Sequence, residues 1–314
     1  MKRQGLRWYH GLIALALFAA VMALEYFGLL GRGMLVSVIG EVFFALIALV
    51  VAIASRAQLS EVFPFKRVRW IQLAGIYLMW RGVLAAELFI SELFLYFFPD
   101  HIEDQTGLNL WMARVPFALA LLVVAIMPAI CEELLFRGTI LTSMKELKKP
   151  WLIVGLNGLI FAVAHLETIK LVSVTLFGIL LAYIAYRSGN LAYSMILHFL
   201  NNGWVVITTY MLLGVSRAAG ERAGGAAEMS HIPLGVLGIT LCAAAITPLL
   251  LYIGNNLFMR PANNAQLPPG ERVTLKKQWL WLTGAVAVLI CAIGMLLFAL
   301  GFEELVEIGF GNLK

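Results

Sequence analysis

Apolar runs, each near twenty residues and set close together, govern what this chain can fold into. Nine are marked out, at about 10–30, 34–54, 71–95, 115–141, 151–166, 171–186, 191–214, 232–256 and 279–301. A bilayer core about 30 Å thick needs roughly 20 helical residues. Within it every backbone N–H and C=O must be bonded internally, which leaves helices as the spanning element for such runs. The pattern predicts an all-α, polytopic transmembrane bundle of about nine spans. Of the 314 residues only 13% are charged, against about 25% in soluble domains. The runs follow too closely for two soluble domains, so residues 1–314 are read as a single integral membrane domain.

The connections set an expected topology. The N-terminus and segments 55–70, 142–150, 187–190 and 257–278 carry 15 Lys and Arg, and the alternate connections carry 6. Positive charge favours the cytoplasmic side, which predicts a cytoplasmic N-terminus and an outer C-terminus. The first ten residues, MKRQGLRWYH, and the apolar run after them resemble a signal peptide. No small-residue cleavage site follows, so the run is expected to be a retained span. Segment 216–231 is Gly/Ala-rich and reads as a mobile loop, and 259–277 reads as a linker. Basic residues are not interleaved with aromatics, which argues against nucleic acid as a partner. Cys131, Cys242 and Cys291 all fall in spans and form neither a disulfide framework nor a Cys-x-x-Cys site.

Against this apolar background, three short clusters place polar side chains at membrane depth, where they are costly and read as functional by default. In CEELLFRG, Glu133 and Arg137 are four apart, the favoured order for an ion pair along one helical face. Glu132 is rotated by about 100° from Glu133 and has no intrahelical basic partner. A carboxylate buried without a partner holds a proton more readily than one in water, which suits a general base. Pro128, four residues earlier, offers no N–H and frees a carbonyl one turn back. The bland alternative is one ion network holding helices together. In NGLIFAVAH, Asn157, Phe161 and His165 share a face at spacing four. A lone histidine there is more often a hydrogen-bonded structural residue than a catalyst. In HFLNN, His198 and Asn202 are four apart. Both donate hydrogen bonds, as an oxyanion hole requires, although a helix–helix polar contact would use the same pair.

These three patterns, in this order on successive apolar helices, resemble the CAAX-endopeptidase and bacteriocin-processing (CPBP) family of intramembrane proteases. The resemblance covers about residues 115–210. It implies peptide-bond hydrolysis within the bilayer by a glutamate-activated water, with lipidated or leader-bearing substrates. Carried over residue by residue, it implies Glu132 as the base and His165 as its partner. Glu133 and Arg137 become the supporting pair, and His198 with Asn202 the oxyanion donors.

Independently of the resemblance, the clusters supply one candidate each for water activation, proton shuttling and oxyanion stabilisation. No cofactor is expected. Zinc is the minority alternative, since Glu and two His form a legitimate ligand set, but His-Glu-x-x-His is absent. A proton-coupled transporter using the same groups as a relay and a non-catalytic scaffold are the rival classes. The partners implied are the lipid bilayer and a membrane-embedded or lipidated peptide, in a bacterial-type cytoplasmic membrane. At 1.5 Å per residue, Glu132 and His198 lie about 14 and 10 Å from the cytoplasmic end of their spans and His165 about 21 Å. That depth predicts a recessed turn at LETIK (166–170). Glu41 and Arg81 fall at similar depth and are expected to pair as structural residues. Glu87 and Glu92 are also read as structural.

Overall fold

Leu-, Val- and Ala-rich runs close their own backbone hydrogen bonds, and among the described residues of the computed structural model every regular element is helical. These residues are 5–31, 33–99, 106–167, 170–218, 231–260 and 275–311. The main helices are α1 (Trp8–Tyr26), α2 (Met34–Ala54), α3 (Trp70–Phe97), α4 (Phe117–Leu147) and α5 (Pro150–Ala164). They are followed by α6 (Leu171–Ser188), α7 (Leu191–Ala218), α8 (Leu234–Phe258), α9 (Lys277–Leu300) and α10 (Phe302–Gly311). Eight are long and apolar enough to cross a membrane, and the protein is an integral membrane protein. The ninth expected span, α5, has only 15 residues, about 22 Å at 1.5 Å per residue. Most of the expected linker 259–277 and most of the loop 216–231 lie outside the described residues.

Two compact units are present. The first comprises residues 1–68, 105–164 and 178–226. In it α1 and α2 pack on each other and on α4. Phe18 sits against Phe44 and Phe136, at centroid distances of 4.8 and 5.5 Å. Thr139 donates its hydroxyl to the Ala48 carbonyl at 3.2 Å, tying α4 to α2.

Helix α4 is not uniformly wound. Leu121–Ile126 and Glu133–Ile140 adopt the wider i→i+5 winding, separated by an α-helical stretch, Met127–Glu132, with Pro128 at its start. Such π segments are rare and recur at functional sites. The apolar pattern predicts an ordinary α-helix here; the second of the two wide segments begins at Glu133.

The second unit comprises residues 69–104, 165–177 and 227–314. Here α3 packs on α8, and α8 on α9. A Cβ on Gly75 would lie 2.5 Å from the Gly254 carbonyl oxygen, so the α3–α8 contact admits only glycine there. Gln72 donates to the Phe258 carbonyl at 3.1 Å. Glu304 of α10 accepts from the Leu234 N–H at 3.1 Å and meets His231 Nε2 at 2.6 Å, satisfying a donor at the start of α8. The His231 hydrogen bond, aided by the Leu234 amide, holds the Glu304 carboxyl below its ordinary value of 4.5.

Candidate active site

The site of the first unit grows from α4. Glu133 is wholly buried, and its Oε1 accepts from Arg137 Nη1 at 2.9 Å, the ion pair that the spacing of four predicts. The same oxygen lies 3.1 Å from His198 Nδ1 on α7. Because a carboxylate oxygen only accepts, Nδ1 carries the proton in this contact. That assignment turns Nε2 toward Glu132, whose Oε2 is 3.8 Å away. His198 therefore stands between two adjacent glutamates.

Arg137 is fixed from three sides. Besides Glu133, its Nη2 donates to the Gly178 carbonyl at 3.3 Å, and its guanidinium lies over the Phe161 ring at 4.1 Å. The edge-on contact of Phe161 with His198, with ring centroids 5.8 Å apart, joins the ion pair to the imidazole. Asn157 donates to the Phe136 carbonyl at 2.9 Å, anchoring α5 to α4. A Cβ on Gly158 would lie 2.5 Å from the Ile179 backbone nitrogen, so α5 meets α6 almost backbone to backbone. A buried charge is tolerable only when paired and hydrogen-bonded, and this surround supplies the pairing.

Glu132 is the more accessible of the two acids, with 13% of its side chain exposed against none for Glu133. Its Oε2 is a buried oxygen without a hydrogen-bond partner. A residue read from the sequence as structural stands beside it. The carboxyl of Glu41, on α2, lies close to that of Glu132, with Glu25 of α1 also near, and its Oε2 too is buried without a hydrogen-bond partner. Glu41 was expected to pair with Arg81, which is grouped with the second unit; within the first unit its neighbours are acids.

Asn202 uses one of its two amide N–H donors on the Val124 carbonyl, at 3.1 Å. Val124 is the residue whose carbonyl Pro128, lacking an N–H, leaves unanswered one turn earlier. The expected His198–Asn202 pair thus has two different anchors, Glu133 and Val124. His165 does not extend the α5 face as expected. Helix α5 ends at Ala164, and His165 lies in the turn that follows, exposed, with a left-handed φ of 54° at Leu166. It is grouped with the second unit, whereas the other five candidates lie in the first. In the LETIK turn Leu166 and Glu167 are exposed, Glu167 pairs with Lys170 at 2.6 Å, and Thr168 and Ile169 lie outside the described residues.

Among the described residues, no three His, Cys, Asp or Glu side chains are grouped to hold a metal ion. The three cysteines are free thiols.

No curated protein and no solved structure matches the chain. Residues 114–204, however, match the family model described as Rce1-like, type II CAAX prenyl endopeptidase. All six candidate residues fall within that range. The match supports a CAAX-type intramembrane endopeptidase in general. The match agrees with the family resemblance of the sequence: residues 114–204 are similar to the Rce1-like, type II CAAX prenyl endopeptidase family.

Proposed function

We propose that the protein hydrolyses a peptide bond in a prenylated or otherwise membrane-anchored substrate, with Glu132 as the general base. The observation that carries this reading is the place of His198, hydrogen-bonded to Glu133 and facing Glu132 across 3.8 Å. That separation exceeds a direct hydrogen bond and matches two groups that share a water.

In the proposed reaction Glu132 takes a proton from the water as its oxygen attacks the scissile carbonyl carbon. The carbonyl oxygen becomes an oxyanion, which accepts the second amide N–H of Asn202 and, when the imidazole is protonated, His198 Nε2–H. Collapse breaks the C–N bond, and Glu132 returns its proton to the leaving amine. The products are a carboxylic acid and an amine, and Glu132 is regenerated. Glu133 and Arg137 do not touch the substrate; they hold His198 and the turn that bears Glu132. The family resemblance gives His165 the part of partner to Glu132 in activating the water. The charge bias of the connections supports a cytoplasmic N-terminus in a bacterial-type membrane, with substrate entering from that side or laterally.

Reconstituted protein and a library of reporter prenylated peptides test the reading. Wild type should cleave and Glu132→Gln should lose about 10²-fold or more, with unchanged expression and helix content. Cleavage should persist in the presence of a chelator. Full activity of Glu132→Gln would end the proposal, and transport that requires a proton gradient without cleavage would favour the carrier class.

A further inference from the structure

We propose that Cys242 of α8 and Cys291 of α9 form a site of thiol oxidation, closed to a disulfide that staples the two spans together, with a lipid-soluble quinone as the oxidant. The pair lies in the second unit, so the inference is independent of which residue acts as the general base.

Helices α8 and α9 meet backbone to backbone. A Cβ on Gly294 would lie 2.8 Å from both the Cys242 nitrogen and the Gly238 carbonyl oxygen, and 2.6 Å from Cys242 Sγ. Gly235 and Gly301 meet in the same way nearer α10. Small residues are what let two spans approach this closely. Cys242 sits in this seam, and its Sγ donates to the Cys291 carbonyl oxygen at 3.4 Å. Cys291 stands one turn before Gly294, on the same helical face. A disulfide needs Cα atoms about 4.4–6.8 Å apart, a range that helices in backbone contact can meet. Closing the bond thus asks for side-chain rotation and not for movement of a helix. The two cysteines are 49 apart in the chain, so the sequence shows no framework; antiparallel packing brings them together.

Depth and exposure select the oxidant. Cys242 lies about 12 Å from the start of α8 at Leu234, and Cys291 about 14 Å from the end of α9 at Leu300, at 1.5 Å per residue. That is hydrocarbon depth. Both side chains are half-buried and most of α9 is exposed, so lipid-soluble molecules reach the pair. Exchange with a water-soluble disulfide runs through a thiolate, whose charge is costly at this depth. A quinone dissolves in the bilayer and needs no ion. Both S–H bonds break and one S–S bond forms, while two electrons and two protons pass to the quinone, which leaves as the hydroquinone. Every species in that exchange is neutral.

The test uses the full chain in liposomes, treated with decylubiquinone, whose ring is fully substituted so that thiols do not add to it, or with oxidised glutathione. After denaturation, free thiols are blocked with a maleimide and the chain is cut with trypsin, which cleaves between the two cysteines at Arg260 and Lys277 among other sites. After quinone treatment, Cys131 of the first unit should be the one cysteine still blocked. Mass spectrometry should find the Cys242 and Cys291 peptides joined, and a reductant should part them. The melting temperature should rise by several degrees on oxidation. Cys242→Ala and Cys291→Ala should each lack the joined peptide and the rise. Three blocked thiols after quinone treatment would overturn the proposal, and so would a disulfide between copies of the chain, seen as a dimer on a non-reducing gel. Oxidation by glutathione disulfide as fast as by the quinone would overturn it too. The readout is thiol content and not cleavage, so it stands or falls apart from the assignment of Glu132.

Discussion

His198 meets Glu133 through Nδ1 at 3.1 Å, on the same carboxylate oxygen that Arg137 holds at 2.9 Å. One oxygen atom thus joins a residue of α7 to a residue one turn further along α4. The order of the site depends on this junction more than on any single hydrogen bond.

Glu133→Ala should therefore destabilise the protein strongly. It leaves the Arg137 guanidinium buried without its counter-ion, a change that costs about 3–5 kcal/mol. Thermal unfolding in detergent measures it. The double variant Glu133→Gln with Arg137→Met should recover much of the stability and little of the activity, because His198 loses its charged anchor.

Phe161 supports Arg137 by its ring face, 4.1 Å from the guanidinium carbon. Phe161→Leu keeps most of the volume and removes the quadrupole, worth about 2 kcal/mol in a desolvated site. The melting temperature should fall accordingly, and Phe161→Tyr should fall less. Equal melting temperatures for the two variants would show that the contact is packing alone.

Glycines on α5 provide an internal comparison. At Gly158 a side chain would meet the backbone nitrogen of Ile179, whereas a Cβ on Gly155 meets nothing within 4 Å. Gly158→Leu should force α5 and α6 apart and cost about 1–3 kcal/mol or more. Gly155→Ala should be neutral or slightly stabilising, since alanine favours the helix by about 1 kcal/mol. Unfolding of both variants in the same detergent checks the contrast.

The Glu304 carboxyl gives a pH dependence away from the site. It is held below 4.5 by His231 and the Leu234 N–H. A carboxyl whose folded value is depressed adds stability above its unfolded value, and that stability is lost as pH falls through the folded one. Wild type should therefore lose melting temperature below about pH 4.5, and Glu304→Gln should lack that part of the acid loss. About a third of the side chain is exposed, 35%, so the effect should be small and should shrink in high salt.

Much of this was legible in the sequence, for reasons that differ from residue to residue. The Glu133–Arg137 pair follows from spacing on a single helix, which local geometry fixes. The helical class follows from the length and apolarity of the runs. The partner of the carbonyl freed at Pro128, Asn202, could not be read from the chain, since it comes from another helix. The acidic neighbours of Glu41 were unreadable for a related reason: they come from other helices, and apart from Ser37 and Glu41 helix α2 is apolar, with little to mark the face that turns inward. The end of α5 at Ala164 was hidden too, because FAVAHLE continues the apolar pattern while the backbone turns at Leu166. The wide winding of Glu133–Ile140 has no compositional signature at all.

That wide winding carries slack. A stretch closed by i→i+5 bonds accommodates a residue that a regular helix would not need. Deleting one residue between Gly138 and Ile140 would let the coil tighten to an ordinary α-helix and leave Glu132 and Glu133 facing nearly the same way against the chain that follows. The same deletion in a regularly wound helix would turn the two acids by about 100°, so the wide winding makes their direction tolerant of chain length.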